Sequence, residues 1–169
     1  MSEARWHLAQ VNIGRARGAV TDAVMQGFMA LLEEINALAE RTPGFVWRLQ
    51  TEDGDATAMR PYPDDDRILI NMSVWTDLAA LREYVFRSAH AGVMRQRREW
   101  FERFQGVYVA LWWVPAGHRP TVKEAVDRLA QLQAYGPTPH AFSFQEAFDP
   151  DGLPIAREPA RSDDACPDT

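Results

Sequence analysis

The chain has 169 residues, 46% apolar, 25% charged and 11% aromatic, with a formal net charge of −6. This composition lies far from the weakly apolar, highly charged regime of disordered chains, and the length suits one domain around one core. The acidic balance argues against a nucleic-acid partner, because phosphate backbones are held by clustered Lys and Arg.

Arg5, His7, Gln10, Asn12, Arg15 and Arg17 interrupt the first twenty residues, so no signal-peptide core stands there. No apolar run approaches the ~20 residues of a spanning helix, and the expectation is a cytoplasmic protein with no membrane partner. The single cysteine, Cys166, offers neither a disulfide framework nor a thiolate metal site. From Glu146 onward the chain carries seven acidic and two basic residues with four prolines. Two units are therefore expected: a folded domain over 1–148 and an acidic, Pro-rich disordered tail over 149–169.

Trp6 to Ile13, closed by Gly14, reads as a first strand. Asp22 to Arg41 spaces Val24, Phe28, Leu31, Leu32, Ile35, Leu38 and Ala39 by three and four residues and stops at Pro43-Gly44, which predicts an amphipathic helix. Phe45 to Thr51 is a second strand, followed by a long acidic loop from Glu52 to Arg67. Arg67 to Trp75 alternates cleanly as a third strand, and Asp77 opens a helical stretch reaching about Phe104, bent near Arg87 to His90. Val107 to Val114 is the fourth strand. Thr121 to Glu124 has the form of a capping box, starting a helix that Gly136-Pro137 stops at Tyr135, and Ala141 to Phe148 reads as a short extra strand.

The order β-α-β-β-α-β is that of an α+β, ferredoxin-like antiparallel sheet with helices on one face. Sorting by parity gives an apolar set for the helix side: Val11 and Ile13, Phe45, Trp47 and Leu49, Ile68 to Val74 in alternation, and Val109, Leu111 and Trp113. The other set, Gln10, Asn12, Arg48, Gln50, Asn71, Ser73, Tyr108 and Trp112, is too polar for a dry core and too aromatic for plain exposure. It suits either a homodimer closing two sheets face to face or a ligand cavity with placed polar groups.

The stretches Leu8 to Asn12, Ser73-Val74-Trp75 with Leu78 and Leu81, His90, Arg98 to Phe101, Leu111 to His118 and Gly136-Pro137-Thr138 resemble the family catalogued as domain of unknown function 3291. The likeness spans roughly residues 6–145. That family is similar in turn to the dimeric α+β barrel superfamily of antibiotic-biosynthesis monooxygenases and haem-degrading enzymes. The wider resemblance implies a working Asn on the first strand, a Trp where the third strand meets the second helix, and a His or Arg along that helix. Asn12, Trp75 and His90 stand at those places.

His90, among small neighbours, fits a general base, a haem ligand or a helix histidine bonded to a nearby turn. Asn12 and Asn71 are disfavoured strand residues that suit either oxyanion stabilisation or a cross-strand pair. Arg48 and Gln10 would bind substrate, with Trp112 and Tyr108 as aromatic walls. No calcium-loop spacing, histidine ligand pair, phosphate loop, nucleophile elbow or dinucleotide fingerprint is present, so no metal or nucleotide is expected. The reading is a small-molecule enzyme working without an organic cofactor on an aromatic or polyketide-like substrate, by oxygenation or by rearrangement or cyclisation, in bacterial secondary metabolism. The alternative is a non-catalytic carrier of haem or another hydrophobic ligand.

Overall fold

The computed structural model of the chain describes residues 5–87, 92–93 and 95–157. Strand β1 runs Trp6–Arg15, a 3-10 turn Ala23–Met25 leads into helix α1 at Gln26–Arg41, and strands β2 and β3 are Phe45–Arg48 and Ile68–Trp75. Helix α2 is Leu78–Arg87, α3 is the single turn Arg97–Trp100, β4 is Val109–Pro115 and α4 is Val122–Tyr135. All pairings are antiparallel and the sheet order is β2-β3-β1-β4, the ferredoxin-like arrangement with β1 and β3 at the centre. Between α1 and β2 the chain reverses at Gly44, which has φ +90° and leaves no room for a side chain, since a Cβ there would lie 2.4 Å from that of Ala80 on α2.

Residues directly opposite in the ladder share a face. Ala9, Val11 and Ile13 pair with Val74, Met72 and Ile70 on one side and, for the first two, with Trp112 and Ala110 on the other. This apolar face is fully buried, under Ala125, Leu129 and Leu132 of α4 together with Met59 and Tyr62 of the long loop. The opposite face carries Leu8, Gln10 and Asn12 beside Trp75, Ser73 and Asn71, and there α1 and α2 pack through Ala39, Leu81 and Tyr84.

The two faces are therefore exchanged relative to the sequence expectation. The polar set looks toward α1 and α2, while the apolar set is covered within the same chain by α4. Parity separates the faces but does not say which one a helix will cross. Of the surface expected to drive homodimer formation, Gln10, Ser73 and Trp112 are buried within the chain, while Gln50 and Asn71 stay exposed.

Two strands depart from simple parity. Strand β4 is apolar at both parities and so carries no phase: Leu111 lies beside Gln10, and Trp112 beside Ala9. A register shift between Phe45 and Trp47 sends Phe45 against Trp75 and Trp47 to the other face. Of the helix expected from Asp77 to about Phe104, the described residues show α2 over Leu78–Arg87, helical positions at Gly92, Val93 and Arg95, and α3 at Arg97–Trp100; residues 88–91 and 94 lie outside the described residues. The stretch expected as a strand over Ala141 to Phe148 contributes isolated bridges, including Leu111 with Phe142, rather than a strand.

Residues 149–157, expected within the tail, fold back as a turn in which Ile155 donates to the Ala147 carbonyl at 2.8 Å. The Trp113 indole fastens the start of that turn by donating to the Phe148 carbonyl at 2.7 Å. No helix among the described residues is long and apolar enough to cross a membrane.

Candidate functional site

Along the sheet face below α1 and α2 runs a row of polar side chains. It begins in the core, where the Trp75 indole N–H donates to Ser73 Oγ at 2.8 Å. Gln10 Nε2 donates both to Ser73 Oγ at 2.8 Å and to Asn71 Oδ1 at 2.9 Å. Asn12 Nδ2 donates to Gln10 Oε1 and to Asn71 Oδ1, each at 3.3 Å. The register that sets Gln10 against Ser73 and Asn12 against Asn71 makes this row possible. Trp75, Gln10 and Ser73 are buried, Asn12 is half-buried and Asn71 is exposed, so the row climbs from core to cavity.

The network assigns each amide an orientation, and hence a donor and acceptor inventory. Asn71 Oδ1 accepts from both neighbours, leaving its NH2 group for the cavity. Both amide hydrogens of Asn12 are engaged, leaving its Oδ1 as an acceptor. The cavity floor thus presents one donor and one acceptor side by side.

The cavity lies between this floor and α1, with a volume of about 110 Å³ and an open side. Phe28, Leu32 and Ile35 of α1 form one wall; Trp100 and Phe101 close one end; Ala56 and Thr57 reach in from the long loop. Gly14 allows that closure, since a Cβ there would stand 2.8 Å from the Phe101 ring and 3.0 Å from Arg97 Nη2. Arg97 donates to the Ile13 carbonyl at 3.0 Å and lies over the rings of Phe101 and Tyr108, bringing a positive charge to the wall. Burial pushes the Tyr84 phenol well above its ordinary range, so at neutral pH it is a neutral hydroxyl, donating to the Ile35 carbonyl at 3.3 Å. No Asp or Glu occurs among the described lining residues.

The model described as Domain of unknown function (DUF3291) matches residues 7–158. The chain belongs to that family. No curated protein sequence matches it. Several solved structures follow a similar course. SnoaB, a cofactor-independent oxygenase from Streptomyces nogalater, is 21% identical with a TM-score of 0.44 over 69% of this chain and 97% of its own. A conserved protein from Methanosarcina mazei Go1 is 13% identical with a TM-score of 0.47, over 66% and 94%. A protein from Nitrosomonas europaea, named as a candidate antibiotic biosynthesis monooxygenase, is 11% identical with a TM-score of 0.44, over 72% and 99%.

Of the residues singled out in this DUF3291 chain, the structure brings Asn12 and Asn71 together at the cavity, with Gln10 directly behind them. Trp75 is not a cavity wall: it is wholly buried and touches the site through Tyr84, on which it stacks at 5.0 Å, and through Ser73. Arg48 does not line the cavity either. It is held by Glu40 at 2.8 Å and by the Gly54 carbonyl at 2.7 Å. Trp112 belongs to the opposite face, fully buried under α4, with its indole 3.4 Å from Glu124 and Arg128 over its ring. Tyr108 reaches the site only by its ring beneath Arg97. His90 lies outside the described residues.

A haem does not fit this cavity. A void of about 110 Å³ has no room for a porphyrin, and among the described lining residues there is no His, Cys or Met to serve as axial ligand. No group of three or more His, Cys, Asp or Glu among the described residues is placed to hold a metal ion.

Sequence reasoning missed Asn36, Tyr84, Arg97, Trp100 and Phe101. Asn36 did leave a signal: it stands four residues after Leu32 and eight after Phe28, at an apolar position of the α1 stripe. For Arg97 there was none, because an Arg beside Arg95 and Arg98 reads as a solvated face.

Proposed function

We propose that this chain is a small-molecule enzyme that seats one ring of a planar phenol or enol in the cavity beneath α1 and stabilises its anion, without an organic cofactor. The observation that carries the reading is the paired inventory at the cavity floor: the Asn12 oxygen meets a hydroxyl, and the Asn71 amide meets the neighbouring carbonyl or the oxyanion formed from the hydroxyl. Arg97 adds positive charge at the wall. A cavity of about 150 Å³ encloses a benzene, so 110 Å³ with an open side accepts a single ring while the rest of the ligand projects outward.

An electron-rich anion of this kind is the species that reacts with dioxygen. In the oxygenating version, a ring CH2 flanked by the anion becomes a C=O, dioxygen supplies the oxygen and accepts the electrons, and one water leaves. Rearrangement or cyclisation through the same anion needs no oxidant. The test is to incubate the protein with 8-hydroxy-1-tetralone, which sets a hydroxyl beside a carbonyl, and with 1-tetralone, which has the carbonyl alone. Dioxygen uptake and product mass are followed. Turnover of the hydroxy compound that falls by a factor of ~100 or more in Asn71→Ala supports the reading, as for loss of an oxyanion donor. Binding of neither compound, or turnover indifferent to both Asn12→Ala and Asn71→Ala, contradicts it.

A further inference from the structure

Asn36 is the one polar residue of α1 turned into the cavity, and its environment is unusual. It is 7% exposed, on the helix wall facing the sheet amides, between Ile35 and the apolar stripe of Phe28 and Leu32. Its side chain has no hydrogen-bond partner among the described residues, and neither of its amide atoms is sealed away from the cavity. An amide in a helix interior is already disfavoured, and burying one without partners costs stability. Asn12 and Asn71 on the sheet wall have each other and Gln10, whereas Asn36 has only the cavity.

We infer that Asn36 is a specificity-determining residue that hydrogen-bonds a second oxygen on the seated ring, so that the preferred ligand is a ring oxygenated at two positions, one read by the sheet amides and one by the helix. The inference rests on the proposed occupancy of this cavity by a phenol or enol, but not on any reaction occurring there. A ring with one oxygen leaves Asn36 unpaired. A ring with two satisfies both walls, and a hydrogen bond to an otherwise unpaired buried amide is worth about a factor of ten in affinity.

The experiment compares 1-naphthol with 1,2-, 1,3- and 1,4-dihydroxynaphthalene, held anaerobically, by quenching of the cavity tryptophan Trp100. The wild type and Asn36→Leu, which matches the side chain in shape, are measured in parallel. The inference expects at least one diol to bind about tenfold tighter than 1-naphthol to the wild type, and Asn36→Leu to abolish that preference while still binding 1-naphthol. It also expects ligand-free Asn36→Leu to melt about 2 °C or more higher, since an unpartnered buried amide has been removed. A preference that survives in Asn36→Leu, an equal loss of all four probes, a lower ligand-free Tm, or no binding by any probe overturns it. The anion reading is scored separately by the pKa of bound 1-naphthol, which Asn36→Leu leaves as in the wild type.

Discussion

Asn71 owes its usefulness to Gln10, which occupies the Asn71 oxygen from behind and so fixes which end of the amide meets a ligand. Replacing Gln10 by Leu removes that contact and leaves Ser73 Oγ and Asn71 Oδ1 short of a donor each. A loss of about 1–3 kcal/mol in chemical denaturation is expected, with weaker ligand binding because Asn71 is free to rotate. Conversely, a stability loss without any change in binding would show that the row serves only the fold. At Gly14 the expected effect is steric. Gly14→Ala drives a methyl into Phe101 and the Arg97 head, and ligand affinity should fall by more than stability does, read by titration beside thermal melting.

At the scale of elements, α4 decides which face of the sheet is free. It is held at its start by Thr121, whose hydroxyl accepts the Glu124 N–H at 3.1 Å, as the capping pattern predicts. The Glu124 carboxylate, however, turns to His118 at 3.0 Å instead of closing the box. Leu129 is a buried point of contact between α4 and the sheet, and Leu129→Ala should cost about 2–5 kcal/mol in equilibrium unfolding.

A second tie joins the end of β1 to the loop before β3 and to the segment after α3: Arg15 meets Asp65 at 2.8 Å and Glu102 at 2.6 Å. The hydrogen bond from the Arg15 guanidinium holds both carboxyls below their ordinary range. Since both folded-state values are depressed, the contribution is complete above the unfolded carboxylate range near about pH 4 and disappears as pH falls through the lowered values. Melting followed from pH 7 down to pH 2 should show wild type losing stability in that acid window and Arg15→Met losing less of it. The groups are about one-third exposed, so the difference should shrink at high salt. Identical acid profiles would remove the tie from the account.

Across the whole molecule, what was legible in the sequence is what repeats. The alternation of β3, the stripe of α1 and the Pro and Gly stops all express periods of two or 3.6, and the ferredoxin-like order follows from them. Asn12 and Asn71 stood out because strands disfavour Asn, and both reach the cavity. What was not legible depends on a third dimension: the phase of an all-apolar β4, the bulge in β2, and the choice of face by α4. Those decide that Trp112 is core and that the polar row lies beneath α1. The central proposal is that the space between the sheet amides and α1 binds a planar phenol or enol and favours its anion. The most direct measurement is the ultraviolet absorbance of 1-naphthol titrated with base, free and bound to the protein. A lower pKa for the bound naphthol is expected, with the shift reduced in Asn71→Ala; an unshifted or raised pKa on binding would contradict the proposal.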